Sequence, residues 1–257
     1  MTMARAWPSG LATGLKIGIL FCTRIPLAHP TPIDGGDVAR ASWAMPIVGA
    51  LVGILGALTY WIASAVGLPP LPASALALAA TVAATGGLHE DGLADTADGF
   101  GGGATRDRKL EIMRDSRIGT YGACALIISL LLRGSALASL ANPAVVAPVL
   151  IAAHAAARAT MPMLMSVVSP ARADGLSADA GRPPRTSVLA AGLLAVIALG
   201  LGLGAIPAII ALLLLFSAVA FMAWLCVRQI GGQTGDVLGA LEQASEILIL
   251  LTAVALI

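Results

Sequence analysis

Charge and aromatic side chains are both scarce in this sequence. Of its 257 residues, 11% are charged and 4% aromatic, while 58% are hydrophobic. The charged share is less than half the ~25% of an ordinary soluble domain, and the mean hydropathy is +0.91. A soluble core cannot absorb that much apolar surface. With so few aromatics, the hydrophobicity rests on Leu, Ala, Val and Ile, which suit lipid contact and close helix packing. Cysteine is also rare: Cys22, Cys124 and Cys226 stand apart in apolar surroundings, without the CxxC or Cys/His spacing of a zinc site. They are read as packing residues. The first twenty residues carry no small-residue cleavage pattern, so a cleaved signal peptide is not expected. A net charge of +1 says little about partners, since in a membrane chain the placement of Lys and Arg matters more than their sum, and nucleic acid is not suggested.

What is abundant is apolar sequence in runs of membrane length. Seven such runs are counted, at 46-66, 72-88, 121-140, 143-168, 187-203, 206-227 and 237-257. The break at Gly202, Gly204 and Pro207 is all that separates the fifth from the sixth, so six or eight spans stay open. Segment 9-22 is interrupted by Gly10, Gly14, Lys16 and Gly18 and is placed as an interfacial or re-entrant helix. The expected fold is all-α: a polytopic membrane helical bundle of about seven transmembrane helices, forming one domain over residues 1-257. Connections at 67-71, 141-142 and 204-205 are short and uncharged, whereas the others carry Arg24, Arg40, Arg106, Arg108, Lys109, Arg114, Arg117, Arg172, Arg182, Arg185 and Arg228. The positive-inside bias makes that second side cytoplasmic and the N-terminus internal. Nearly all the Asp and Glu lie on the same side, with Glu242 and Glu246 entering a span. Polar chemistry gathered at one face fits an enzyme better than a pore.

The densest chemistry follows the second run, in Gly86-Gly87-Leu88-His89-Glu90-Asp91-Gly92-Leu93-Ala94-Asp95-Thr96-Ala97-Asp98-Gly99. On a helix, Asp91, Asp95 and Asp98 fall within an arc of about 60°. Three carboxylates on one stripe repel unless a cation joins them, and hard oxygen ligands favour Mg²⁺ or Mn²⁺. A solvated acidic helix end is the plainer alternative, although like charges at i, i+4 disfavour it. His89 abuts the stripe, and Gly99 with the glycines after it suits either phosphate contact or a flexible turn. Downstream, Arg114 and Arg117 sit one turn apart and are suited to phosphate oxygens; Asp115 pairs with either of them or joins the metal site. Asp236 opens the last run as an N-cap or first-turn residue, followed by Glu242 and Glu246, which need a partner cation, arginine or water pocket. Arg158 and His154 share a face of the fourth run, and Arg133 lies in the third, giving a structural ion pair with those glutamates or a substrate contact. Arg24 is a further candidate phosphate contact.

Three segments in order, His89 to Gly99, Ile112-Met113-Arg114-Asp115-Ser116-Arg117-Ile118-Gly119 and Gly232-Gln233-Thr234-Gly235-Asp236, with Thr23-Arg24-Ile25-Pro26 near the start, resemble the cobalamin synthase family. That resemblance implies transfer of GDP-activated adenosylcobinamide phosphate to α-ribazole or its 5′-phosphate, with release of GMP. It implies Mg²⁺, a bacterial cytoplasmic (inner) membrane, the lipid bilayer as surroundings, and a homo-oligomer or other cobamide-assembly enzymes as partners. Carried onto this sequence, the candidate metal ligands are Asp91, Asp95, Asp98, Glu90 and Glu242. The candidate catalytic residues are Asp98 or Asp236 as proton acceptor, with Arg114 and Arg117 on the leaving group. The candidate substrate contacts are Arg24, His89, Gly99, Asp115, Ser116, Arg158 and Thr234. Two other readings remain at this point: a CDP-alcohol phosphotransferase making phospholipid, and a cation transporter built on Glu242, Glu246, Arg133 and Arg158.

Overall fold

The computed structural model of the protein describes residues 10–28 and 33–257, and the described residues form helices without a single strand. In chain order these are α1 (Leu11–Cys22), α2 (Gly35–Ala41), a 3-10 turn (Ser42–Ala44), α3 (Met45–Ala65), α4 (Pro70–Thr85), α5 (Leu88–Gly102), α6 (Arg106–Ile112), α7 (Thr120–Leu140), α8 (Pro143–Val167), α9 (Leu176–Ala180), α10 (Arg185–Leu203), α11 (Ala205–Ile230) and α12 (Gly235–Leu256). Six segments are long and apolar enough to cross a membrane, α3 with the short helices before it (Gly35–Ala65), α7, α8, α10, α11 and α12, and the number rises to seven when the bent pair of α4 and α5 is counted as one. The expected bundle of about seven spans is therefore observed, with α1 as the short additional helix.

Helix ends fall where local chemistry puts them. Pro46, Pro70 and Pro143 sit in the first turn of α3, α4 and α8, where a missing N–H leaves no bond unmade. Asp34 and Asp37 close α2 with a reciprocal capping box. Thr234 caps α12 by accepting from the Val237 N–H.

Burial sorts the spans into centre and rim. Within their most apolar windows α8 and α12 are 72% buried, against 28% for α7 and α10 and 17% for α11. α8 is the axis on which α3 packs, and glycine lets it do so. A side-chain carbon on Gly49 would collide with the His154 carbonyl, and one on Gly53 would lie 2.6 Å from the Ile151 Cα. Such a small-xxx-small face allows backbones to approach where no hydrophobic effect drives helices together. One apolar core, with Leu137, Leu150, Leu199, Ile249 and Leu250, fills the distal half of the bundle. A second, with Cys22, Met45, Met161, Met165, Cys226 and Leu241, lies under the polar end. Cys124 is exposed on α7 rather than packed inside, unlike Cys22 and Cys226.

The feature that positions the chemistry is the corner between α4 and α5. Gly86 and Gly87 both take the left-handed conformation, at φ 68° and 70°, and the two helices meet there at 90°. Glycine adopts this conformation without steric cost, and at Gly86 a side chain would also strike Arg24. α5 therefore leaves the bundle axis and runs across its polar end.

Candidate active site

α5 and the start of α12 build the site between them. They cross closely because Gly92 and Gly239 face each other: a carbon on Gly92 would lie 2.8 Å from the Asp236 carbonyl, and one on Gly239 3.2 Å from the His89 Cα. The crossing delivers Asp236 to the aspartate stripe. Its Oδ2 accepts from Arg172 at 3.1 Å and from the Thr234 hydroxyl at 3.2 Å. Thr234 is thus buried and engaged with α12 itself, orienting Asp236 rather than offering its hydroxyl to a ligand. Asp95, on the same stripe, is within electrostatic reach of Asp236 and Arg172. Its pKa is pushed up to about 7, first by burial and then by the like charges of Asp91, Asp236 and Asp98, with Arg172 opposing. Like charges that raise one another in this way, with Arg172 opposing, are the electrostatics that suit oxygen donors to a cation.

Asp98 is on the same stripe but occupied differently. Its Oδ2 accepts from the Gly119 N–H at 2.7 Å and its Oδ1 from the Gly122 N–H at 2.9 Å. It is buried and holds the N-terminus of α7, where a negative charge is favoured. Both Asp98 oxygens thus accept from backbone donors, whereas the bonds from Arg172 and Thr234 to Asp236 both fall on its Oδ2. Gly99, expected as a phosphate contact, is buried against Met113 and the Lys109 carbonyl; it is a packing position.

The predicted arginines lie at the exposed rim, each already facing a carboxylate. Arg114 reaches Asp174 at 2.5 Å across to the loop after α8. Arg117 pairs with Asp115 two residues away, which lowers the Asp115 pKa to about 2. Ser116 between them is exposed, as is Arg24, whose N–H bonds the Ala84 carbonyl at the glycine corner. The loop 168–172 is fastened to the α11–α12 turn by backbone bonds from Ala171 N–H to Gln233 and from Gln233 N–H to Ser169. Arg106 clamps both, donating to the Ile230 and Ala171 carbonyls at 2.8 and 2.7 Å. This is how Arg172 comes to Asp236. Its role was not legible in sequence, where it counted only as one positive-inside charge; no motif marks it, since the contact depends on two loops pairing.

Glu90, Glu242 and Arg158 belong to another environment. Arg158, expected to touch substrate, is sealed inside the bundle, bonding Glu242 at 2.8 Å and the His154 carbonyl at 3.0 Å. Arg133 bridges Glu90 at 3.2 Å and Glu246 at 3.4 Å. His89 faces Glu242 and His154 faces Glu246, each with Nδ1 at 3.3 Å, and Gln243 donates to Glu90 and Glu242. The ion-pair alternative for Glu242 and Glu246 is thus the one observed. Among the described residues, the group of ligating atoms gathered within 4.8 Å is His154, Glu242 and Glu246, not the aspartates. Guanidinium groups already serve both of those glutamates, so Glu90 and Glu242 are placed as members of an internal salt-bridge network rather than beside the aspartate stripe.

Beside Asp91 and Asp236 opens a cavity of about 190 Å³ walled largely by apolar side chains of α1, α3, α5, α8 and α12. Of the sequence candidates, His89, Asp91 and Asp236 line it; its methionines, Met45 on α3 and Met161 and Met165 on α8, carried no site reading in the sequence because two separate helices bring them together.

Comparison with known proteins gives a consistent result. Residues 14–254 match the family described as cobalamin-5-phosphate synthase. The chain is 58% identical over 241 residues to the adenosylcobinamide-GDP ribazoletransferase of Bradyrhizobium diazoefficiens, covering 94% of this chain and 93% of that one. It is 50% identical over 246 residues to that of Mesorhizobium japonicum, covering 96% and 94%. With that of Azorhizobium caulinodans it shares 48% over 252 residues, covering 95% and 96%. No solved structure matches.

Proposed function

The chain belongs to the cobalamin-5-phosphate synthase family, and from that premise we propose that it joins GDP-activated adenosylcobinamide to α-ribazole or its 5′-phosphate at the aspartate site, releasing GMP. The observation that carries the assignment to this site is the convergence of Asp91, Asp95 and Asp236 at the α5–α12 crossing, with Arg172 beside them.

In the reaction a ribazole hydroxyl oxygen attacks the phosphorus on the cobinamide side of the diphosphate. A new P–O ester bond forms, the P–O bond to the GMP phosphate breaks, and GMP leaves with the electron pair. The hydroxyl proton goes to a carboxylate, for which Asp236 is suited, since Thr234 and Arg172 hold one of its oxygens in a fixed direction. Asp91 and Asp95 are the residues that would hold Mg²⁺, which supplies charge neutralisation for the diphosphate when bound. Arg114 and Arg117 at the rim are placed to exchange their carboxylate partners for phosphate oxygens, a substitution that an exposed pair permits at little cost. Positioning and electrostatics are what phosphoryl transfer needs most. The side of the bundle bearing this site also bears Arg106, Arg108, Lys109, Arg114, Arg117 and Arg172, which supports a cytoplasmic orientation in a bacterial inner membrane.

Two rival readings lose support. A cation path through Glu242 and Glu246 would run into Arg158 and Arg133, which hold those carboxylates. The phospholipid reading has no counterpart among the relatives described above.

The deciding experiment is GMP release from adenosylcobinamide-GDP and α-ribazole 5′-phosphate by the purified protein in lipid, with Mg²⁺ and with chelator. Metal-dependent release accompanied by cobamide product is expected. Absence of turnover in folded, lipid-embedded protein overturns the proposal.

A further inference from the structure

Building on that reading, we propose that the apolar cavity beside Asp91 and Asp236 seats the planar heteroaromatic base of the ribazole acceptor, and that the Ser42 hydroxyl donates a hydrogen bond to the base's free ring nitrogen.

Size selects the occupant first. At about 190 Å³ the cavity falls below the ~300 Å³ at which pockets for drug-sized ligands begin. A corrin macrocycle cannot enter, nor can a whole nucleoside diphosphate, whereas a two-ring base can. The walls agree: Phe21, Met45, Met161 and Met165 line it, and thioether sulfurs make favourable contacts with aromatic rings while adapting to their outline.

Polarity then orients it. Ser42 lies in the 3-10 turn before α3, is fully buried and lines the cavity, and among the described residues its Oγ has no hydrogen-bond partner. Other polar groups on the wall are already occupied: Ser177 donates to Gln233 at 2.6 Å, and His89 faces Glu242. A buried hydroxyl without a partner costs stability unless something accepts from it. The ring nitrogen of a benzimidazole nucleoside that carries no sugar is such an acceptor, lying in the ring plane. The two acidic residues of the lining are Asp91 and Asp236, so a base held here keeps its ribose hydroxyls beside the carboxylates that the reaction requires.

The larger hollows do not compete. That between α8, α10 and α11, about 530 Å³, has Thr160 and Ser166 already bonded to helix carbonyls. That between α3, α8 and α10, about 410 Å³, is lined by no polar side chain.

The test pairs a substitution with two acceptors: α-ribazole 5′-phosphate, and the indole riboside phosphate of the same shape with a C–H in place of the free nitrogen. Ser42→Ala is expected to raise KM for the first by ~2- to 10-fold, the range of one net hydrogen bond, with kcat and the KM for adenosylcobinamide-GDP held. For the indole acceptor, wild type and Ser42→Ala are expected to be equal. Met161→Trp, which fills the cavity, is expected to raise KM for both acceptors at least ~10-fold, in line with the cost of overpacking. Equal effects of Ser42→Ala on the two acceptors, or none on either, overturn the proposal, as does unchanged acceptor KM in folded Met161→Trp. If wild-type protein releases no GMP, the activity assignment fails by itself. Calorimetric binding of α-ribazole to wild type, Ser42→Ala and Met161→Trp then reads the cavity separately: tight binding weakened by both substitutions supports it, and no binding overturns it.

Discussion

Asp95 is half-buried and faces Asp91, Asp236 and Asp98, with Arg172 as the opposing charge, so its pKa is pushed up to about 7. A raised carboxylate pKa means that, without metal, Asp95 is mostly protonated below pH 7, and an incoming cation must displace that proton. Mg²⁺ affinity is therefore expected to fall by up to ~10-fold per unit as pH drops below about 7, and to level off above it. Titration calorimetry from pH 6 to 8 measures this slope, and Asp95→Asn should abolish it together with most of the affinity. In turnover the same substitution should cost ~10²-fold or more, as loss of one electrostatic element commonly does. A pH-independent affinity in the wild type would remove Asp95 from the metal site. At this scale the sequence showed the aspartate stripe, because a helical arc follows from spacing alone. It could not separate Asp98 from Asp91 and Asp95, since that depends on where Gly119 and Gly122 bring the start of α7. Arg172 stayed hidden for the same reason. Its alanine variant is expected to lower kcat by ~10-fold or more while leaving the unfolding temperature within a few degrees, because the pair it makes with Asp236 is part-exposed.

Among the elements, α5 depends on two glycine devices, the left-handed corner at Gly86–Gly87 and the close crossing of Gly92 on α12. Gly92→Val would drive side-chain carbons into the Asp236 backbone and part the two helices. The expected result is a loss of ~1–3 kcal/mol in stability from overpacking, and a larger fall in activity because Asp236 moves away from Asp91 and Asp95. Thermal unfolding in detergent and GMP release, measured together, separate the two effects; full activity in Gly92→Val would mean that the crossing does not set the site. Membrane spans were legible to within a few residues, since an apolar run of this length has no other stable destination in a bilayer. The 90° corner was not. Gly86-Gly87 permits a sharp turn without requiring one, and the apolar run at 72-88 reads through it. The short α9 inside the 168–185 connection was likewise invisible, being five residues held by packing on α2.

Across the whole molecule, the network of Glu90, Glu242, Glu246, Arg133 and Arg158 ties α5, α7, α8 and α12 together beneath the site. Its members come from distant parts of the chain. Sequence alone therefore showed that the charges needed partners, and named some of them, but could not decide between a ligand and each other. The observed pairing makes a prediction that distinguishes scaffold from binding site. Arg158→Met leaves Glu242 buried without its guanidinium, and Glu242→Leu leaves Arg158 with an unmatched charge; removing one member of a buried pair costs ~3–5 kcal/mol. Replacing both with apolar side chains, as Arg158→Met with Glu242→Leu, removes the uncompensated charge and should recover most of that loss. Stability of the three variants in lipid, measured by denaturant or thermal unfolding, gives the coupling between the two sites. If instead Arg158 bound substrate, the double variant would be as inactive as the single one even when refolded stability is restored. Recovery of turnover alongside stability is the result expected of a scaffold, because the carboxylates proposed to perform the chemistry lie at the α5–α12 crossing and not in this network.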